Sequence, residues 1–304
     1  MQKVIVTGRA GFIGSNLVDR LVNEGFKVIV IDNESAECNE QFYYNESAEY
    51  HKLNIEDYDS IEPLFKGVDY VFHLAAESRI QPTLDRPVKA CMTNIIGTCN
   101  VLEASRRNNI KRVMYSSTSS AYGLKNHIPL IETMHRDCLN PYSVTKVGAE
   151  DLCKMYYTLY GLECVIFRYF NVFGERQPLK GQYAPVVGLF LEMKKAGKPM
   201  TVVGDGKQTR DYTYVGDVVE ANLLAARTEN ESVLGEVYNV GTGTNHSVLD
   251  LVEMIEGDHT HLPPRDGEAR DTKADIGKIM LDLDWYPKQT IGDWINKYKE
   301  EHKI

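Results

Sequence analysis

Short apolar runs alternate with longer stretches in which apolar residues return every three or four positions. The first run, Val4-Ile5-Val6, leads into a glycine-rich turn, Thr7-Gly8-Arg9-Ala10-Gly11-Phe12-Ile13-Gly14. Ile13, Leu17, Val18, Leu21 and Val22 then recur at helical spacing. Further runs predict strands over 27–32, 50–55, 69–76, 111–116 and 162–169, with a helix over 88–108. Runs apolar at successive positions suit strands buried on both faces, and helical crossovers between them predict a parallel sheet covered on each side. Right-handed crossovers make that sheet doubly wound. Residues 33–48 are polar and acidic and read as a surface loop. Beyond Gly174 the alternation breaks down into glycines, prolines, short strands (200–203, 236–240) and short helices such as 248–255. The expected class is therefore α/β, with a large N-terminal unit over 1–174 and a smaller lobe over 175–304. The segment 211–230, helical at 215–227, is expected to pack back on the first unit.

Charge narrows the partners. The chain has 304 residues and a formal charge of −9, from 34 basic and 43 acidic residues. Such a protein gets no general electrostatic help with nucleic acid or anionic membranes. An anionic ligand would need local arginines. No apolar stretch approaches the roughly 20 residues that span a bilayer, and no cleavable leader is expected before the first apolar run. The cytoplasm is the expected compartment. The six cysteines include no Cys-x-x-Cys and are expected to be reduced and mostly buried. His259 and His261, expected in a loop beside Pro263-Pro264, are the only close histidine pair, and no metal site is expected.

Two motifs carry chemistry. Gly8, Gly11 and Gly14 stand at a strand-to-helix junction, where the backbone can approach a pyrophosphate and the helix N-terminus favours negative charge. Asp32 ends the next strand, placed to accept both ribose hydroxyls of NAD and to repel the 2′-phosphate of NADP. Arg9 could instead pair with that phosphate; Asp32 and Asn33 offer it no basic partner, which favours NAD. Far downstream, Asn140-Pro141-Tyr142 reads as a capped helix start, and Val144, Gly148, Leu152, Met155 and Leu159 form an apolar stripe along that helix. Tyr142 and Lys146 lie one turn apart on one face. An ammonium roughly 5 Å from a phenol, at an effective dielectric of about 20, contributes about 3 kcal/mol, or roughly two pKa units. A tyrosinate near neutral pH then becomes a base for proton removal while a dinucleotide takes a hydride. The run 111–116 ends in Ser117-Thr118-Ser119-Ser120-Ala121-Tyr122-Gly123, at a strand end where ligands sit in such sheets.

In combination these motifs resemble the extended short-chain dehydrogenase/reductases, within the NAD-dependent nucleotide-sugar epimerase/dehydratase family. The resemblance runs from the first strand to about Ile291. It is carried by Thr7 to Gly14, His73-Leu74-Ala75-Ala76, Ser116 to Gly123, Tyr142-x-x-x-Lys146, Arg168 to Gly174, Gly204-Asp205-Gly206, Arg210-Asp211-Tyr212 and Ala274-Asp275. It implies a Rossmann-type fold with a C-terminal lobe for the substrate. It gives Thr118 the place of the hydroxyl that holds the sugar's 4-oxygen, Tyr142 the base, and Lys146 the ribose contact and tuning of the base. Around NAD it places Gly8, Gly11, Phe12, Ile13 and Gly14, then Asp32 and Asn33, then Asn54 and Ile55. Leu74, Ala75, Ala76 and Asn94 follow, with Ser116 and Tyr169 near the reactive end. For the nucleotide sugar it implies Ser78, Asn171, Val203, Arg210, Arg265 and Thr272, besides Thr118 and Tyr142. Asn54 stands where the family commonly has an Asp on adenine, and Ser78 where some relatives carry a basic or bulkier residue.

The reaction turns on the neighbours of Thr118. Similar dehydratases carry Asp-Glu after that threonine, and similar decarboxylases a glutamate two positions after it. Here the places hold Ser119 and Ser120, so no acid is expected there to eliminate water. The expected activity is UDP-sugar 4-epimerisation through a transient 4-keto sugar, on UDP-N-acetylglucosamine or UDP-glucose. The stretch 174–184 looks most like epimerases of N-acetylhexosamines, and the small Thr272 leaves room for a 2-substituent. Alternatives are a UDP-glucuronate 4-epimerase, another nucleotide-sugar dehydratase, decarboxylase or reductase, and a non-catalytic dinucleotide sensor. Relatives usually pair through the helices here at 88–108 and 142–159, which implies a homodimer.

Overall fold

The chain was analysed as a computed structural model, which describes residues 2–8, 11–36, 41–179, 184–264 and 269–304. Its main sheet has seven parallel strands: β1 (Lys3–Thr7), β2 (Lys27–Asp32), β3 (Glu49–Lys52), β4 (Tyr70–His73), β5 (Arg112–Thr118), β6 (Glu163–Tyr169) and β7 (Val237–Val240). They lie in the order β7-β6-β5-β4-β1-β2-β3. The chain steps outward from β1 to β3 and returns on the other side with β4. That reversal opens a crevice at the carboxyl ends of β1 and β4, where such sheets bind ligands. Side chains alternate between two cores. Val4 and Val6 join Leu17, Leu21 and Val30 on one face, while Ile5 joins Ile29, Val71 and Val113 on the other. All of these are essentially inaccessible to solvent, which is why the strands read as continuous apolar runs.

Several boundaries differ from expectation. The third strand stops at Lys52 and the fourth at His73, whereas β5 continues two residues further, to Thr118. The helix over 88–108 is formed by Pro87–Cys91, a π-helical stretch Met92–Gly97 and Thr98–Arg107. β7, expected in the smaller lobe, extends the main sheet beside β6. The helix Val215–Arg227 supplies Val218, Leu223 and Ala226 to the first core, and the short helix Gly277–Leu283 adds Ile279 and Leu283. A separate core gathers Phe173, Phe190, Leu191, Leu251, Trp294 and Ile295. His259 and His261 lie on an exposed strand, His259–Leu262, paired with Met200–Val203, not in a loop. The five described cysteines are free thiols, and only Cys153 and Cys164 are buried; Cys38 lies outside the described residues. Among the described residues no helix is long and apolar enough to cross a membrane.

The helix Pro141–Tyr160 is turned opposite to its apolar stripe. Val144 and Leu159 are exposed, and Leu152 and Met155 are only partly covered. Its buried positions include Ser143, Thr145, Lys146 and Glu150. A buried polar face needs partners, and it has them. Glu150 receives two hydrogen bonds from Arg168 on β6, at 2.8 and 2.7 Å, and one of 2.5 Å from Ser117 Oγ on β5. The cap is as read: Asn140 Oδ1 accepts the Ser143 N–H, and Gly161 ends the helix in the left-handed region at φ +70°.

His73 knots the crevice together. Its Nδ1 lies 2.6 Å from Thr7 Oγ1 and its Nε2 lies 2.9 Å from Thr98 Oγ1. The Thr98 hydroxyl donates to Asn94 O, so it accepts from His73, and the ring is the Nε2–H tautomer. Burial, and secondly the Lys146 charge, push this imidazole down to about 3. The folded protein therefore leaves His73 neutral over a range in which the unfolded chain protonates it, below its ordinary 6.5. Stability is lost as pH falls through 6.5 toward 3, by about 1.4 kcal/mol per unit. Urea denaturation at pH 7 and pH 5 is expected to differ by about 2 kcal/mol more for the parent than for His73→Gln, which cannot titrate.

Candidate active site

A cleft of about 470 Å³ opens at the carboxyl ends of the central strands. At one end lies the glycine turn. Gly8 has φ +74°, and a Cβ there would meet Ala75 N at 2.4 Å, so only glycine lets the loops after β1 and β4 touch. Gly11 caps the helix Phe12–Asn23 with no side-chain hydrogen bond, leaving first-turn N–H groups for an anion. Asp32 and Asn33 line the same wall at the end of β2, with Asn54 and Ile55 beyond them. Asp32 Oδ1 accepts the Glu34 N–H at 2.7 Å. This donor and acceptor set fits a dinucleotide. Arg9 lies outside the described residues.

At the other end β5 and the helix Pro141–Tyr160 bring Ser116, Thr118, Tyr142 and Lys146 to one wall. Thr118 Oγ1 accepts the Ser120 N–H at 3.1 Å, and Thr118 and Tyr142 line the same wall. Lys146 Nζ sits 4.4 Å from the centre of the buried Tyr115 ring. Tyr169, whose hydroxyl receives hydrogen bonds from Ser116 and Asn222, closes the floor.

Burial raises Tyr142 above its ordinary value, and the opposing influences are Thr118 and the Arg79 charge. The Lys146 amine lies over the Tyr115 ring, and burial lowers it to about 7 against the raising effect of Cys153 and Glu150. Tyr142 and Lys146 line the same cleft.

A second cavity of about 220 Å³ adjoins the cleft, and Ile80, Ser119, Ser120 and Asn171 belong to both walls. Arg210 and Thr272 line it. Asn171 Nδ2 donates to Asp211 O at 2.9 Å, and the Thr272 hydroxyl accepts from the Asp211 N–H at 3.3 Å. Buried Asp211 in turn accepts from Thr242, Gly243 and Ala274, which fixes the strand that carries Arg210.

Among the described residues the sequence singled out, two are not in these walls. Asn94 is buried beneath the cleft: it bridges the Glu77 backbone and, at 2.9 Å, Thr145 Oγ1, so it braces the helix Pro141–Tyr160. Val203 lines neither cavity, and its carbonyl accepts from Gln208. Arg265 lies outside the described residues. Ser78 is at the cleft but exposed. The sequence reading passed over its neighbour Arg79, which lines the cleft beside Tyr142. The available signal was position: Arg79 is six residues past the end of β4, where ligands gather in such sheets.

Comparison with known proteins agrees with this arrangement. Residues 4–241 match the family model described as the NAD dependent epimerase/dehydratase family. The UDP-glucose 4-epimerase of Mycolicibacterium smegmatis is 35% identical, over 98% of this chain and 97% of that protein. The crystal structure of UDP-glucose 4-epimerase with UDP-glucose from Thermotoga maritima superposes with a TM-score of 0.92 at 34% identity, covering 100% of both chains. The UDP-N-acetylglucosamine 4-epimerase from Methanobrevibacter ruminantium, in complex with UDP-N-acetylmuramic acid, gives 0.90 at 33% identity, covering 97% of this chain and 96% of that one. With a dinucleotide-fitting turn at one end of the cleft, a Thr-Tyr-Lys set at the other, and these likenesses across the whole fold, the chain belongs to the NAD dependent epimerase/dehydratase family.

Proposed function

We propose that this protein is a UDP-sugar 4-epimerase that interconverts the C4 epimers of UDP-N-acetylglucosamine or UDP-glucose. The observation that carries the reading is the composition of the wall at Thr118. The base candidate Tyr142 shares the wall with Thr118, and the two residues that follow Thr118 are Ser119 and Ser120, so neither place holds the acid that would drive elimination. The kinship with 4-epimerases supports it.

In this reading the glycine turn, Asp32, Asn33 and the Leu74–Ala76 segment hold NAD, which when bound supplies a hydride acceptor and donor at C4. Thr118 holds the sugar's 4-oxygen. Tyr142 removes the hydroxyl proton and later returns one to the opposite epimer. Lys146 holds the ribose next to the phenol. Arg210, Asn171 and Thr272 receive the nucleotide diphosphate and sugar in the second cavity, where the Arg210 guanidinium helps an acidic protein bind a dianion; the family resemblance adds Arg265, which lies outside the described residues. Residues 1–174 serve mainly the cofactor and 175–304 the substrate.

Incubation with UDP-glucose, UDP-N-acetylglucosamine and UDP-glucuronate, followed by separation of the C4 epimers, tests this directly. Epimer formation from one of the first two is expected without added reductant. No turnover of any nucleotide sugar would end the proposal, and a 4-keto-6-deoxy product or released carbon dioxide would move the protein to a dehydratase or decarboxylase.

We further propose a homodimer. The outward apolar stripe at Val144 and Leu159 adjoins Val88, Met92 and Ile96, all exposed, on the helix packed alongside. Four such helices, two from each copy, would cover that face.

A further inference from the structure

We propose that Asn54 meets the purine of the dinucleotide with an amide donor, and so favours a 6-oxopurine over adenine at that contact. The inference rests on the dinucleotide end of the cleft and is independent of which sugar is turned over.

The strand order sets the position. The glycine turn follows β1, Asp32 ends β2, and Asn54 lies two residues beyond β3. These three strands are neighbours in the sheet, in that order. A dinucleotide laid across such an edge puts its pyrophosphate on the turn and its ribose on the acid. The base is the next group out. Neighbouring strands are about 4.8 Å apart, close to the reach of a purine from its ribose nitrogen to its 6-substituent. The Leu53 N–H donates to Asp32 O at 3.2 Å, so Asn54 begins directly beside the acid. Asp32, Asn33, Asn54 and Ile55 line one wall. Asn54 therefore faces the edge of the base farthest from the ribose, which carries the 6-substituent.

The orientation of the amide is fixed by its own backbone. Asn54 Oδ1 accepts the Glu56 N–H at 3.1 Å. An N–H can only donate, so the atom it meets is the carbonyl oxygen, and the NH2 is the half left for a ligand. The turn that holds this arrangement is braced. The Asp57 N–H donates to Asn54 O at 3.0 Å. Asn100 Nδ2 donates to the carbonyls of Ile55 and Glu56, each at 3.0 Å. Glu56 Oε1 receives Lys89 Nζ and Thr93 Oγ1, both at 2.6 Å. A Cβ at Gly97 would meet Ile55 Cδ1 at 2.6 Å, so helix and turn pack without a gap.

Adenine offers a 6-amino donor, and hypoxanthine a 6-oxo acceptor at the same place. An asparagine serves adenine when both halves of its amide are free, the oxygen for the amino group and the nitrogen for a ring nitrogen. Here the oxygen is turned to Glu56, and an amino group meets a second donor. A carboxylate at this position would keep an acceptor after satisfying the Glu56 N–H. It would take the amino group and repel a 6-oxo group. Asn54 thus lacks the discrimination that its near-isostere would supply.

The probes are NAD and nicotinamide hypoxanthine dinucleotide, titrated by calorimetry into protein freed of bound dinucleotide, in the parent, Asn54→Asp and Asn54→Ala. The ratio of the two Kd values is the readout, because damage to the fold weakens both dinucleotides and cancels, as does any backbone contact to the ring common to the three proteins. In Asn54→Asp the ratio is expected to move toward NAD by about tenfold or more, and in Asn54→Ala by about threefold, the latter through weaker binding of the 6-oxo dinucleotide. A ratio unmoved in Asn54→Asp overturns the proposal. So does an Asn54→Asp protein that binds NAD more weakly with the 6-oxo dinucleotide unchanged, which would put the amide nitrogen on a ring nitrogen of adenine. Binding of neither dinucleotide by the parent would overturn it together with the cofactor assignment. No sugar is present in the titration, so the result stands apart from the epimerase reading.

Discussion

Tyr142→Phe is expected to lower turnover by between about 10²- and 10⁴-fold, the range that a positioned general base contributes. The reason is local. The phenol shares the cleft wall with Thr118, the proposed anchor of the sugar's 4-oxygen. Removing one hydroxyl leaves the ring, the helix cap at Asn140 and the glycine turn untouched. The co-purifying NAD content and the thermal midpoint should therefore match the parent. Thr118→Val should act in the same direction more weakly, because the opposing influence of Thr118 on the phenol is lost while the base remains. Epimer formation and NAD content, measured on the same preparations, separate a chemical defect from a binding one. Retained turnover in Tyr142→Phe would remove the proposed base.

The second large effect concerns stability. Arg168→Met is expected to destabilise the fold by about 3–5 kcal/mol. Arg168 and Glu150 are almost wholly buried, with side-chain exposures of 2% and 1%. Withdrawal of the guanidinium strands a carboxylate among Ser117, Cys153 and Lys146 in a site that excludes water. The double variant Glu150→Met with Arg168→Met removes both charges and is expected to recover most of the loss, because the desolvation of two ions disappears with them. Urea denaturation of the two single variants and the double gives the coupling. A double variant less stable than Arg168→Met would mean that Glu150 is stabilised without Arg168, through Ser117 and Lys146, contrary to the expected balance.

The sheet was legible because its strands are buried on both faces. The run 27–32 predicts β2 to the residue, and the glycine turn announces both the end of β1 and the start of its helix. The candidate site was legible where chemistry restricts residue type: Gly8, Asp32, Thr118, Tyr142 and Lys146 all face one cleft. What escaped the sequence is non-local. β7 pairs with β6 across some seventy residues, and a short run near the C-terminus does not reveal its partner. The helix Pro141–Tyr160 misleads because its buried face carries Lys146 and Glu150 while its apolar face looks outward. Hydrophobic periodicity finds the core face only where the core is hydrophobic. Arg79 was missed because an isolated arginine has no pattern; its lack of a partner is visible only in three dimensions.

The contact between Gly8 and Ala75 joins more than two loops. The turn at Gly8 lies at one end of the cleft, yet the strand-end segment it touches runs on through Ser78 to Arg79 in the same wall. A methyl group at position 8 would press on backbone, which cannot swing aside as a side chain can. A substitution at Gly8 would therefore displace the loop after β4 as well as its own turn, and so disturb both ends of the cleft at once.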